Sequence, residues 1–450
     1  MREARRRSSS LLVFLLLLQA LGGFAIAKTF NPTAGPPFNW SDPANWSPAG
    51  IPALTDDVTI STGTVTLDQP ETIASLTVSG GSIAEGASGA LTVAGNVSVT
   101  GGTYDTGIPL TMNGGVAQQL SSNLPLGPLT ISNAGTTVTL GSAVQTASLL
   151  QTGGTLDVGA GFNYQLTVAG NWNRTAGTFN PRAGTVVFSA TASIQYAETF
   201  NNLTVNAPGS TATLAFPNAS TMTVGGNLTI ANGTLSTSTL WDNVNSPQNP
   251  ILKINGNLLL NGGTLDISQA PKPTSGTNPW TDIDIYGSLS GAAGGTINGG
   301  PGGASGSFAS LRFRGIGSVD FTNIAYSPGN VRIWFAGTST TASSTTFNPA
   351  GRSVASVRIG SSGLQAGGAL VLTGDLVLTG NDWTGSGAFS VGGGATGTLP
   401  ADSIVINSGV TVTANSSGIG GMTQMSPSTV SRREPSHLQA PRLFSTVLSR

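Results

Sequence analysis

Two aspartates stand two residues apart in Trp280-Thr281-Asp282-Ile283-Asp284-Ile285-Tyr286, and Arg312, Arg314 and Arg332 follow one or two repeats later. Residues two apart on an extended strand share a face, so Asp282 and Asp284 point the same way. Glycoside hydrolysis needs paired carboxylates, and an acidic calcium site with a basic residue opposite serves polysaccharide cleavage as well. Trp280, next to the pair, completes a candidate carbohydrate site. The competing assignment is a set of solvated salt bridges on the lateral face of a strand. The other acid pair, Asp56-Asp57, precedes Val58-Thr59-Ile60 and reads as a turn cap at a strand start.

Few other residues have the chemistry for catalysis. Cysteine is absent and histidine occurs once, as His437 in an Arg-rich tail, which argues against thiolate chemistry, a histidine-based triad and a histidine zinc site. No glycine-rich loop is followed by Lys-Ser/Thr, and no acidic nonapeptide repeats, so no cofactor and no metal site is expected. Only 8% of the 450 residues are charged and the formal net charge is −1. That balance fits neither a nucleic-acid groove nor a basic membrane patch.

These candidates must be positioned by a chain that begins with a leader. Arg2, Arg5, Arg6 and Arg7 precede an apolar run from Leu11 to Leu18, and Ala25-Ile26-Ala27 offers small residues for cleavage before Lys28. This is the layout of a secretory signal, and the apolar run is short for a membrane span. No later stretch reaches 18 apolar residues, so the cleaved chain is expected to be secreted or held at the cell surface, without a membrane span.

Beyond the leader, period two dominates. Leu76-Thr77-Val78, Leu129-Thr130-Ile131 and Leu203-Thr204-Val205 alternate apolar and β-branched polar residues, and 63 glycines punctuate them. Four segments align without a gap: Leu91 to Asp105, Leu166 to Asn180, Met222 to Ser236 and Leu252 to Asp266. Each places a Gly-Asn pair seven residues before a Gly-Thr pair, and Leu370 to Asp382 is a weaker copy. Thr-Phe-Asn-Pro recurs at Thr29, Thr178 and Thr346. Repeats this short cannot bury a face alone, so they predict an all-β parallel β-helix, or β-solenoid, of short Gly/Asn/Thr-rich rungs of about 15 to 25 residues.

The segments divide as a signal peptide over 1–27, a cap over 28–57 and regular rungs over 58–268. Irregular rungs with Gly-rich insertions follow over 269–350, then C-terminal rungs over 351–417 and a disordered tail over 418–450. Asn96, Asn171, Asn227 and Asn257 hold one repeat position, which Asp375 takes in the weaker copy. A left-handed asparagine that hydrogen-bonds along a ladder of identical turns explains them better than ligand binding.

The opening segment is Phe38-Asn39-Trp40-Ser41-Asp42-Pro43-Ala44-Asn45-Trp46, followed by Ile51-Pro52 and Asp56-Asp57-Val58-Thr59-Ile60. It resembles the first unit of secreted bacterial β-solenoid proteins of the surface or adhesin-like kind. It is also similar to the eight-glycine domain of extracellular proteins, over residues 38 to about 107. Trp40 and Trp46 are read as a cap that covers the first rung, with aromatic platforms for sugar rings as the alternative. The resemblance and the shortage of chemistry imply a non-enzymatic surface, matrix or adhesin-like protein, with surface glycans or other surface proteins as partners. The alternative is a carbohydrate-binding or carbohydrate-cleaving β-helix centred on Trp280, Asp282, Asp284 and the later arginines.

Overall fold

The computed structural model describes residues 25–32, 35–132, 135–216, 220–237, 251–267, 280–299, 308–315, 317–327, 331–335, 345–354, 356–359, 370–378, 389–391, 404–406, 412–414 and 430–432. The expected signal peptide, all but residues 25–27, and most of the expected tail lie outside them. The described residues are almost entirely β, with a single 3-10 turn at Pro43–Asn45, and the strands stack in parallel as a β-solenoid. Among them no helix is long and apolar enough to cross a membrane. The chain forms two units, Met1–Thr167 with Arg174–Arg182, and Val168–Asn173 with Ala183–Arg450.

In the first unit two long parallel ladders run along the stack, and Thr64–Leu67, paired with Ser82–Glu85, begins a third side. One runs through Asp57–Ile60, Ser75–Glu85, Val97–Tyr104, Gln118–Ser122, Thr137–Leu140, Thr155–Asp157 and Thr178–Asn180. The other runs through Pro70–Ile73, Ala90–Val93, Leu110–Met112, Leu129–Ile131 and Leu149–Gln151. Leu91 lies beside Leu110 and Leu110 beside Leu129, steps of 19 residues (91 to 110 to 129). Leu-Thr-Val, Leu-Thr-Met and Leu-Thr-Ile therefore stack like on like. Their leucines point into a core from which water is excluded, and Thr72, Thr92, Thr111 and Thr130 form an outward column. Each fully buried leucine contributes about 1.5–3 kcal/mol, a gain available only once a neighbouring coil covers it.

The second unit also has three sides to a coil, and its coils are longer. Leu228, Leu258 and Leu289 mark one ladder in steps of 30 and 31 residues (228 to 258 to 289). A second passes through Thr234, Thr264 and Thr296. The third contains Met222–Val224, Leu252–Ile254, Trp280–Ile285, Phe308–Phe313, Val331–Phe335 and Ser356–Ile359. The aligned repeat is thus one coil: Leu252–Ile254, Leu258–Leu260 and Thr264–Asp266 are successive sides, with the Gly-Asn and Gly-Thr pairs at the corners.

The two corners use glycine differently. At the first, the N–H of Gly256 donates to Gly226 O at 2.9 Å, and an added Cβ on Gly256 would lie 2.5 Å from that oxygen. Close approach of successive coils excludes a side chain there. At the second, Gly102, Gly177 and Gly233 have φ of 78°, 78° and 75°, a region that side chains rarely enter. A last strand, Val430–Arg432, pairs in parallel with Val412–Ala414, so strand structure continues past residue 418, where the sequence pattern breaks.

Candidate functional site

The Asp/Arg residues meet on the third ladder of the second unit. Parallel register sets Asp284 beside Arg312 and Asp282 beside Ser310, and the next coil adds Trp334 beside Arg312 and Arg332 beside Ser310. Arg312 Nη1 donates to Asp282 Oδ2 at 2.7 Å, Arg312 Nε donates to Asp284 Oδ1, and Arg314 Nε donates to Asp284 Oδ2 at 3.2 Å. The Arg312 guanidinium also lies over the Trp334 ring, 5.8 Å from its centroid. On the preceding coil Lys253 Nζ lies 5.1 Å from the Tyr286 ring centroid. Trp280 opens the strand in register with Phe308; its side chain is outside the described residues.

The expectation of solvated salt bridges on the lateral face is corrected here. Asp282, Asp284, Arg312 and Arg332 expose 2%, 3%, 0% and 2% of their surface, so this face is as inaccessible as the core face of Ile283, Leu311 and Ile333. Burial raises the Asp282 carboxyl to about 6, against the opposing pull of Arg312. An acid with that value has the protonation behaviour of a general acid. Its position, with one oxygen bound to a buried guanidinium, suits cohesion between coils better than contact with a polymer. Trp334 is the member of the cluster that the sequence did not single out. The only signal is its place opposite Arg312, which requires the coil-to-coil register.

The repeated asparagines form links along the stack. Asn227 Oδ1 accepts the Asn257 N–H at 2.8 Å, Asn257 Oδ1 accepts the Ser288 N–H at 2.8 Å, and Ser288 Oγ accepts the Ser318 N–H at 3.1 Å. Asn96 Oδ1 accepts from Gln119 N–H and Asn171 Oδ1 from Ser193 N–H in the same manner. Left-handed backbone at these asparagines is not what the structure has. Among described non-glycine residues only Asn163, Arg182 and Ala350 have positive φ. The reason is local: each asparagine leads directly into a strand, so its backbone stays outside the left-handed region. Asp375, at the equivalent position, is exposed, and its carbonyl accepts the Gly351 N–H at 2.8 Å.

The Thr-Phe-Asn-Pro repeat is a turn tied to the coil before it. Asn180 Nδ2 donates to Asp157 Oδ2 at 3.1 Å, and Asn348 Nδ2 donates to Asp320 Oδ1 at 3.1 Å. The residue after each proline, Arg182 or Ala350, takes the left-handed φ. Arg182 adds a fork onto Asp157, with Nη2 at 2.7 Å, and this guanidinium holds the Asp157 carboxyl below its ordinary range.

At the start of the chain Trp40 and Trp46 are buried, their rings edge to face at 4.7 Å, and Trp46 Nε1 donates to Trp40 O at 2.9 Å. The Trp40 N–H donates to Thr66 O, which joins this segment to the strand Thr64–Leu67. Lys28 Nζ donates to the carbonyls of Pro48, Ala49 and Gly50. Asp56 Oδ2 accepts the Ala53 N–H at 2.9 Å, closing the turn before the first regular strand. Among the described residues no three acidic, histidine or cysteine side chains gather as a metal-binding group. Comparison of the chain with protein-family models, with curated proteins and with solved structures finds no match.

Proposed function

We propose that the chain is an exported, non-enzymatic β-solenoid, a structural protein of the surface, matrix or adhesin-like kind. The observation that supports this most directly is the state of Asp282 and Asp284. The pair best suited to chemistry is engaged by Arg312 and Arg314 and withdrawn from solvent. The asparagine links, the buried tryptophan cap and the ion cluster all spend polar groups on holding one coil to the next. Export rests on the leader at residues 1–27, and the surface role on the resemblance of the opening segment to secreted solenoid proteins.

Two measurements test the reading. Mass spectrometry of the protein recovered from medium and cell surface is expected to find Lys28 at the N-terminus; retention of residues 1–27 inside the cell overturns export. Reducing-sugar and unsaturated-product assays on a panel of neutral and acidic polysaccharides are expected to show no turnover by wild type. Turnover that disappears in the Asp282→Asn/Asp284→Asn double variant establishes the carbohydrate-cleaving alternative instead.

A further inference from the structure

The most exposed large apolar side chain among the described residues is Phe162, at 74%. It stands on an excursion of the first unit, Val158-Gly159-Ala160-Gly161-Phe162-Asn163-Tyr164-Gln165, which leaves the strand Thr155–Asp157 and returns at Leu166. The neck is closed by the Asn163 N–H to Gly159 O at 3.0 Å and the Tyr164 N–H to Val158 O at 2.9 Å. Asp157 Oδ1 accepts the Gly159 N–H at 2.9 Å, so the ion pair with Arg182 also anchors the loop base. Gly159, Gly161 and Asn163 all have positive φ, a region that glycine enters freely and asparagine tolerates better than other side chains. These bonds close the loop at its base, and Phe162 stands exposed between them.

Tyr164 is stacked against one side of the Phe162 ring, with centroids 5.3 Å apart and planes within 6°, and Tyr164 in turn lies against Gly159. Beside this contact Phe162 keeps 74% of its surface exposed. Gln165, the residue after Tyr164, lines a cavity of about 350 Å³ together with Ser122, Asn123, Gln145, Thr167 and the apolar Leu124, Pro125, Ala143 and Val144. Charge is missing from this region: residues 106–156 and 158–173 contain no Asp, Glu, Lys or Arg, and Asp157 between them is neutralised by Arg182. A flat aromatic face beside amides and hydroxyls, without charge, matches a ligand with an apolar face and many uncharged hydroxyls.

We infer that the Phe162–Tyr164 stack and the groove beside Gln165 form a binding site for a neutral pyranose polymer, with one sugar ring seated on Phe162. The site names a ligand class for the exported-scaffold reading without depending on it, because binding is measured on purified protein whatever its location. Tyr164 supports the platform, and the amides of Gln145 and Gln165 supply hydrogen bonds to ring hydroxyls.

The test is calorimetric titration of the full chain with cellohexaose and N-acetylchitohexaose, with hexagalacturonate as the charged comparison. Wild type is expected to bind at least one neutral hexasaccharide. Phe162→Ala and Phe162→Leu are expected to lose about tenfold or more in affinity with melting temperature unchanged. Phe162→Trp is expected to stay within about threefold of wild type, since it keeps the ring face. Val116→Ser, which removes another exposed apolar side chain of the same unit, is expected to bind as wild type. The inference is overturned if neither neutral probe binds, if hexagalacturonate binds in their place, or if Phe162→Leu binds as well as wild type. Sedimentation velocity supplies a further outcome: a wild-type dimer that Phe162→Ala converts to monomer makes this face a contact between copies, and the inference fails.

Discussion

The side-chain oxygen of Asn227 accepts the backbone N–H of Asn257 at 2.8 Å, from one coil to the next across 30 residues of sequence. Asn227 is itself held by Asn202, whose Oδ1 accepts the Asn227 N–H at 3.0 Å, while the Asn227 carbonyl accepts the Leu203 N–H. The link falls at a corner, where strand pairing is interrupted and peptide groups need other partners. Asn227→Ala leaves the Asn257 N–H without this acceptor and is expected to cost about 1–2 kcal/mol in denaturant unfolding. Gly256→Ala is expected to cost more than Asn227→Ala, because its Cβ meets backbone of the previous coil.

Arg312 connects both buried aspartates, so its removal leaves two carboxylates without their main partner. Arg312→Met is expected to destabilise the second unit by about 3–5 kcal/mol. The triple variant Asp282→Asn/Asp284→Asn/Arg312→Met carries no charge at these positions and is expected to recover a large part of that loss. Urea unfolding of the two variants beside wild type checks this. Equal stability of the single and triple variants counts against a charge-based explanation.

Asp282 makes part of the stability depend on pH in an unusual direction. Its carboxyl is raised to about 6 in the folded protein, from about 3.9 in an unfolded chain. Between these values the folded state binds more protons, so the contribution of this residue improves as pH falls from 6 to 4. The full cost of its ionisation, about 3 kcal/mol, applies above 6. Asp157 acts in the opposite sense: its lowered carboxyl contributes stability above the unfolded value and loses it as pH falls through the folded one. Relative to wild type, Asp282→Asn is therefore expected to be more stable at pH 7 than at pH 4.5, and unfolding curves at the two pH values measure the difference.

The cap is expected to control the first coil. Trp40 is fully buried against Trp46, and Phe30 meets Trp46 at 5.7 Å. Trp40→Ala removes that packing at a cost of about 3–5 kcal/mol. Hydrogen exchange is expected to accelerate first in Lys28, Thr29 and Phe30 and in Asp57–Ile60, which pair beside the cap, and least in strands several coils away. Uniform acceleration along the unit excludes a local capping role.

Some of this was visible in the order of residues and some was not. The seven-residue spacing between Gly-Asn and Gly-Thr corresponds to one side of a coil with its two corners, so Leu252 to Asp266 could be read as a repeating unit before its three sides were known. The Asp282/Asp284 alternation placed both on one face, and the later arginines lie one and two coils on. Their burial was not legible, because alternation distinguishes the two faces of a strand without saying whether the polar face is covered. Phe162 escaped notice for a related reason: an aromatic in a Gly-rich segment has no periodicity to mark it as core or surface.

Period-two patterning, tight-turn glycines and aligned repeats pointed to stacked parallel strands, because repeats too short to bury a face alone bury it against the neighbouring copy. Which residues become neighbours was decided by tertiary structure. Coil length changes along the chain, 19 residues from Leu91 to Leu110 and 31 from Leu258 to Leu289, and each change resets which side chain lies above which. Arg312 reaches Asp284, and Asn180 reaches Asp157, only because the backbone between them closes one turn of the right length. That length is set by corner geometry and by excursions between sides, neither of which local sequence preference determines.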